Sequence, residues 1–242
     1  MSRPDFSVRS LAPEIMDDLE ASRGEAVYQT LRELAVVNRL LGGNYITLNG
    51  LKTLTTGKDP SRPIRIADLG CGGGDMLVLM DQWAKKRGID VELVGVDFND
   101  DITTYAKVHT ADFANIQYQT VDVFSREFAQ QEFDIAVCSL FLHHFTNAEL
   151  AAFLAQLVNQ TRLGVVINDL HRHPFAYYSI KWLTQLFSRS KMVKYDAPLS
   201  VMRAFSAAEW KEILGEAHIQ QYTMHWRWAF RWEIIIPGEL KD

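Results

Sequence analysis

Short apolar runs alternate with helical patterns from Ile64 onward, and this alternation constrains the fold more than any other feature of the 242-residue sequence. Apolar runs predict strands at 64–69, 91–96, 116–121, 133–138 and 163–167. Helical periodicity lies between them, most clearly over 75–87. Strand–helix–strand repetition joins parallel strands through crossover helices. The pattern therefore predicts an α/β fold with a mostly parallel sheet.

The two ends of the chain follow different patterns. Residues 1–62 carry no strand pattern, and apolar residues recur at helical spacing over 25–41. The stretch 43–63, with Pro60 near its end, is predicted to be a linker or a flexible cover. Residues 220–236 alternate in two pieces, which is typical of a closing antiparallel pair and brings the sheet to seven strands. We therefore expect a helical N-terminal cover over 1–62 and one domain over 63–242.

Composition limits the classes of partner. The formal net charge is -5, and no run of Lys and Arg exceeds three residues, so we expect neither nucleic acid nor an anionic membrane as partner. The longest apolar run, 133–145, is too short to span a bilayer. The first residues lack the apolar stretch of a secretory signal, and Cys71 and Cys138 lie in segments predicted to be buried. These features predict a cytoplasmic protein with free thiols. Separately, we expect a monomer or a homodimer.

The first strand runs into a glycine-rich loop at the start of a helix, over residues 66–75. Glycines there allow a sharp turn and a close approach to a ligand, although a tight turn without a ligand has the same composition. A dinucleotide fingerprint, G-x-G-x-x-G, needs a sixth residue that is glycine, and the chain has Asp75. The spacing present is D-x-G-x-G-x-G, which runs from Asp68 to Gly74.

This spacing resembles the first motif of the class I S-adenosylmethionine-dependent methyltransferases. The resemblance implies a doubly wound, mostly parallel seven-stranded sheet (a Rossmann-like fold) and S-adenosylmethionine as cofactor, with S-adenosylhomocysteine as product. It also implies cofactor contacts from the loop, at Asp68, Gly70, Cys71, Gly72 and Gly74.

Two further acids follow in the order that this resemblance requires. Asp97 ends the second strand about 20 residues after the loop, where a carboxylate can accept both ribose hydroxyls; a solvated acid at a strand end is the alternative. The resemblance places Asp97 at the ribose and Asp122 and Val123 at the adenine, and it makes Phe98 and Ser139 further cofactor contacts; a plain loop acid is the alternative for Asp122. The motifs together cover about residues 64–170.

Methyltransferases that act on DNA amino groups carry Asp/Asn-Pro-Pro-aromatic after the fourth strand. This chain has Cys-Ser-Leu-Phe over 138–141, which argues against nucleic acid as substrate.

Histidines follow two strands at the edge where open α/β sheets bind ligands. His143 and His144 follow the fourth strand, and His171 and His173 follow the fifth. Each is a candidate general base for a hydroxyl acceptor, with a structural role as the alternative. His171 or His173 is favoured, because residues 168–174 crowd polar side chains into one predicted loop. No cysteine or carboxylate adds a ligand at metal-site spacing, so no metal is expected.

Residues 175–204 are rich in aromatic residues and methionine, which suits either a pocket for a flat apolar acceptor or plain core packing. The whole chain is similar to bacterial small-molecule methyltransferases that act on phenolic and polyketide compounds. We therefore expect methyl transfer to a hydroxyl of such a small molecule. An amine, carbon or protein acceptor and a non-catalytic cofactor-binding protein are the alternatives, and Asp75 counts against an oxidoreductase.

Overall fold

The structure, a computed structural model, describes residues 4–58 and 62–238. The predicted linker residue Pro60 and the extreme ends of the two predicted regions lie outside these ranges. The strands are β1 Ile64–Leu69, β2 Val91–Asp97, β3 Ile116–Thr120, β4 Phe133–Ser139, β5 Thr161–Leu170, β6 Thr223–Arg227 and β7 Arg231–Pro237. They form one seven-stranded sheet in the order β3-β2-β1-β4-β5-β7-β6. Strands β1 to β5 pair in parallel, and β7 is antiparallel to both neighbours, which confirms the predicted fold class.

The helices cover both faces of the sheet and its ligand-binding edge. They are α1 Gly24–Leu40, α2 Gly43–Thr55, α3 Asp75–Lys85, α4 Asp100–His109, α5 Arg126–Ala129, α6 Asn147–Asn159, α7 Pro174–Phe187, α8 Lys191–Arg203 and α9 Ala207–Glu216, with 3₁₀ turns at Ile15–Asp17 and Leu142–His144. Helices α6 and α9 begin where Thr146 and Ser206 form reciprocal capping boxes with Glu149 and Glu209. These short-range bonds fix where the two helices start.

The prediction of a linker over 43–63 is wrong, because α2 occupies most of it. Helix α2 buries Ile46, Leu51 and Leu54 and packs against β5 and β7. Its glycine, threonine and asparagine content lowers the intrinsic helix propensity, and that composition suggested a loop. Burial of one face against the sheet supplies the stability that local propensity does not.

The core has two layers, one on each face of the sheet. One buried cluster joins the strands to α6 and α9 and contains Phe153 and Trp210; the other joins them to α2 and α3 and contains Leu51 and Leu77. Strands covered on both faces are largely apolar, as β4 shows; its one charged residue, Asp134, accepts hydrogen bonds from Arg62 and Arg162. Because β1, β2, β4 and β5 run parallel, their carboxyl ends lie together at one edge of the sheet.

Two further features bear on the sequence predictions. Both cysteines, Cys71 and Cys138, are buried free thiols. Among the described residues, the helices are too short or too polar for any of them to cross a bilayer.

Candidate active site

A cavity of about 730 Å³ lies at the carboxyl edge of the sheet. The loops after β1, β2 and β4 form one side of it, and the N-terminal segment with α1, α7 and α8 forms the other. Most of the residues predicted to bind the cofactor line it: Asp68, Gly70, Cys71, Gly72, Asp97, Phe98, Asp122, Val123 and Ser139. The fold thus brings together groups that are spread over some 70 residues of sequence.

The glycine loop lies against the end of β2. The amides of Gly70 and Cys71 both donate to the carbonyl of Val96. Gly70 has a φ of 68°, and a Cβ there would lie 2.3 Å from the Phe141 ring. Gly74 does not line the cavity; with a φ of 80° it is the N-cap of α3, where a Cβ would lie 2.2 Å from the Tyr118 hydroxyl. Gly70 therefore shapes the loop at the cavity, whereas Gly74 shapes the start of the helix behind it.

Two carboxyl groups lie beside this loop, the buried Asp68 and the partly buried Asp97. Burial, and then the charge of Asp97, raises the pKa of Asp68 to about 8. Burial also raises the pKa of Asp97, although the Asn99 and Gly72 amides donate to its carboxylate. A pair of carboxylates held away from water at a cavity wall favours a ligand that is cationic or rich in hydrogen-bond donors. A sulfonium with an ammonium group and a ribose diol meets both conditions.

The remaining predicted cofactor residues surround the same end of the cavity. Asp122 follows β3, and its Oδ1 accepts from the Phe124 amide, which turns the chain at the cavity wall. The Ser139 hydroxyl ends β4 and lies 2.9 Å from the Thr47 hydroxyl of α2. The Phe98 ring is 60% exposed, so one face of it is free to pack on a ligand.

His143 is the histidine that the structure positions most firmly. Its Nδ1 lies 2.7 Å from Oδ1 of Asp169, and its amide donates to the other oxygen of the same carboxylate. Both residues are buried, and the His143 side chain lines the cavity. A carboxylate at Nδ1 holds that nitrogen as the donor and leaves Nε2 as the acceptor. The pair is thus arranged as a base and its orienting acid.

Glu14 faces the other nitrogen of this histidine. Its Oε1 lies 3.7 Å from Nε2 of His143 and accepts from the Ser200 hydroxyl at 2.9 Å. Burial raises the pKa of Glu14 to about 7, opposed by the nearby His144 side chain, the Ser200 hydrogen bond and the charge of Arg203. Sequence patterns did not indicate Glu14, because it lies far from the motifs in an N-terminal segment without periodicity. In the 3₁₀ turn that follows, the amides of Ile15 and Met16 donate to the Asp196 carboxylate, and this anchor holds Glu14 in the site.

His144 is bonded to a different carboxylate. Its Nδ1 lies 2.7 Å from Asp17, and Asp17 also accepts from Arg203. Ligand atoms of Glu14, His143 and His144 lie within 4.8 Å of one another, a group that could hold a metal ion and that the sequence spacing did not suggest. The Arg203 guanidinium lies 3.8 Å from the Glu14 carboxylate and already places a positive charge there. That charge disfavours a further cation at the same carboxylate.

His171 and His173 lie elsewhere. Nδ1 of His171 accepts from the Trp226 indole, and His173 is the N-cap of α7. Neither is among the residues that line the cavity, and burial lowers the pKa of His171. The polar stretch that suggested them is not one loop, because Asn168 and Asp169 are buried residues of β5. A role for either histidine as base is therefore still only a prediction, whereas the geometry favours His143.

The aromatic segment 175–204 forms α7 and α8, and its residues divide by face. Phe175, Ile180 and Leu183 of α7 line the cavity, whereas Trp182 and Phe187 are exposed. On α8, Met192 and Val193 are buried, which agrees with the packing alternative. One face of α7 therefore forms the apolar wall that the composition predicted.

Comparisons with known proteins agree with this geometry. Residues 66–164 match the family model described as a methyltransferase domain. No curated protein sequence matches the chain significantly. Similar solved structures include the plantazolicin methyltransferase BpumL with S-adenosylhomocysteine and a pentazolic analog (15% identity, 93% of each chain, TM-score 0.64). Human N-acetylserotonin methyltransferase with S-adenosylmethionine is another (15% identity, 96% of this chain and 63% of that chain, TM-score 0.64).

The carbon methyltransferase domain (CMeT) of the citrinin polyketide synthase also matches, at 14% identity and a TM-score of 0.61. The alignment covers 81% of this chain and 52% of that one, so the chain spans about half the length of this relative. At such identities these likenesses show the fold alone. The family match identifies a methyltransferase domain within residues 66–164, and the strand order β3-β2-β1-β4-β5-β7-β6 is the methyltransferase topology.

Proposed function

We propose that the protein transfers the methyl group of S-adenosylmethionine to a hydroxyl of a small, largely apolar acceptor such as a phenolic or polyketide-like compound. One observation carries the proposal. The cofactor loop and His143 line the same cavity, and His143 is bonded to the buried Asp169 behind it. When bound, the cofactor supplies an electrophilic methyl group on a sulfonium, which departs as a neutral thioether. Support for a small-molecule acceptor comes from the relatives named above and from the apolar face of α7.

The cofactor would lie along the carboxyl ends of β1, β2 and β3. Asp97 would accept hydrogen bonds from the ribose hydroxyls and Asp122 from the adenine amino group, and the loop Asp68–Gly74 would surround the amino-acid part. Burial raises the pKa values of Asp68 and of the partly exposed Asp97, so a nearby sulfonium would stabilise their ionised forms. The acceptor lies across the cavity, toward α7 and His143.

The residues of the chain then have separate tasks. The cavity walls hold the acceptor oxygen in line with the methyl carbon, and positioning of this kind supplies much of the rate. As the oxygen forms its bond to carbon, Nε2 of His143 accepts the hydroxyl proton, while Asp169 and Glu14 stabilise the imidazolium that results. A phenol needs this help because its own pKa is near 10.

A mutant series on the four histidines tests this assignment. Turnover with S-adenosylmethionine and a panel of phenols would be measured by mass spectrometry of the methylated product. His143→Ala should lower turnover by roughly 10²–10⁴-fold, with partial recovery near pH 10, where a phenol ionises without a base. Affinity for S-adenosylhomocysteine should stay nearly unchanged.

His171→Ala and His173→Ala are the matched controls, because they remove histidines from outside the cavity lining. If these two lose turnover with recovery at high pH while His143→Ala stays active, the base follows β5 and the assignment to His143 is wrong. Fragmentation of the product separates O-methyl from N-methyl and C-methyl compounds. A methylated carbon or nitrogen would refute the hydroxyl acceptor while leaving methyl transfer intact.

A further inference from the structure

Arg231, at the start of β7, is a buried cation at the cavity wall. Its side chain lines the cavity, and the residue is 2% exposed. Nη2 donates to Oδ1 of Asn38 at 2.9 Å. Nε and Nη1 have no hydrogen-bond partner within the described ranges 4–58 and 62–238. A guanidinium carries five N–H donors, and leaving most of them unmatched in a buried place is costly.

The surrounding acids do not neutralise this charge. Burial lowers the pKa of Arg231 to about 10, and the charge of Asp169 acts in the opposite direction. Both oxygens of Asp169 are already used, by His143 and by the amide of Leu170. Glu233, two residues further along β7, accepts from Arg227 and Asn49. Within the described part of the chain, Arg231 forms no ion pair, so its counter-charge must come from a ligand.

The position of Arg231 in the sheet separates it from the cofactor loop. The sheet order places β7 three strands from β1, which is about 14 Å at the usual strand spacing. The glycine loop that surrounds the amino-acid part of the cofactor follows β1. Ile180 and Leu183 of α7 and Phe230 line the cavity as well, on the acceptor side. An anion at Arg231 therefore belongs to the acceptor.

We propose that Arg231 binds a carboxylate on the methyl acceptor, so that the substrate is an apolar hydroxy acid rather than a neutral phenol. This inference rests on the proposed function, since it takes the cavity to hold the acceptor. The carboxylate pairs with the guanidinium, and the apolar body lies along α7. The ion pair orients the molecule so that its hydroxyl reaches the His143 end of the cavity.

A purely structural role makes the opposite prediction for stability. The guanidinium lies against Gly43, where a Cβ would come within 2.8 Å of its Cζ. If this packing were the purpose of Arg231, a neutral replacement would destabilise the protein. An unpaired buried cation instead opposes folding of the free protein, so its removal is neutral or stabilising. Such a residue is retained for a ligand at a cost in stability.

Two probes that differ only in charge test the proposal: 4-octylbenzoate and its neutral isostere 4-octylbenzamide. Calorimetry would measure their binding to the whole chain, with and without S-adenosylhomocysteine. The wild-type protein should prefer the benzoate by roughly ten- to a hundredfold, the usual effect of charge-assisted hydrogen bonds. Arg231→Gln should abolish that preference. Arg227→Gln, which changes a partly exposed arginine on the neighbouring β6, should retain it.

Urea unfolding provides the second measurement. Arg231→Gln without ligand should be at least as stable as the wild type, and 4-octylbenzoate should stabilise the wild type alone. Equal affinity of the wild type for both probes overturns the proposal. So does a destabilised variant that keeps the preference, which indicates a structural arginine. A variant that loses affinity for S-adenosylhomocysteine but keeps the preference assigns Arg231 to the cofactor. Absence of S-adenosylhomocysteine binding to the wild type would contradict methyl transfer, while the comparison of the two probes would still test the carboxylate site.

Discussion

Replacing Glu14 with glutamine should change how the stability of the protein depends on pH. Glu14 is 5% exposed and has an ordinary pKa of 4.5, which burial raises to about 7 in the folded chain. The folded state therefore binds the proton more tightly than the unfolded state does. The stability that this provides is fully present below about pH 4.5 and is lost as the pH rises through about 7.

The magnitude follows from the difference between the two pKa values. A difference of about 2.5 pKa units, at 1.36 kcal/mol each, amounts to about 3 kcal/mol. Glutamine has nearly the same shape and still accepts from the Ser200 hydroxyl, but it does not ionise. The free energy of unfolding of the wild type, relative to that of Glu14→Gln, should fall by about this amount between pH 4.5 and pH 8.

Urea unfolding of both proteins across this range measures the difference directly. Glu209→Gln is a control with the opposite sign. Burial alone would raise the pKa of Glu209, but the hydrogen bonds from Arg172 and Ser206 lower it overall. Its contribution is therefore present above its ordinary pKa of 4.5 and is lost on acidification below that value, so the titration of this control is extended to lower pH. A flat difference for Glu14→Gln would show that Glu14 ionises freely in the folded protein and that the N-terminal segment does not bury it.

Three other substitutions test the cofactor site and the core. Asp97→Ala should weaken binding of S-adenosylhomocysteine by about 2–4 kcal/mol, since it removes charge-assisted bonds to the ribose, and Asp97→Asn should cost less. Calorimetry that shows wild-type affinity for both variants would remove Asp97 from the ribose site. Gly70→Ala should lower both cofactor affinity and stability, because its Cβ would enter the Phe141 ring. The control Gly88→Ala has a similar φ of 65° but open space around the Cβ, so it should cost only about 1 kcal/mol of strain in a denaturant titration. Trp210→Ala should destabilise the protein by about 3–5 kcal/mol by leaving a cavity under α9, and a loss below 1 kcal/mol in the same titration would contradict its burial.

The sequence alone predicted the sheet and the cofactor loop, because both depend on short-range patterns. Continuous apolar runs fix buried strands, and the D-x-G-x-G-x-G spacing fixes a turn between one strand and its helix. The boundaries of β1 agree with the prediction, since Pro63 and Gly70 limit the run at both ends. Most of the predicted cofactor residues consequently line the cavity. Gly74, which shapes the helix start instead, is the exception.

Helix α2 and the acceptor side of the site were decided only by the tertiary structure. Helix α2 is stable through packing on β5 and β7, which no local propensity expresses. Asp169 was taken for a loop residue because a buried acid in a strand has no periodic signature, and its partner His143 follows a different strand. Glu14 and Arg231 come from opposite ends of the chain, and only folding brings them to the same cavity. Local spacing therefore determined the cofactor loop, while the groups proposed to bind the acceptor depend on long-range contacts that sequence periodicity does not encode.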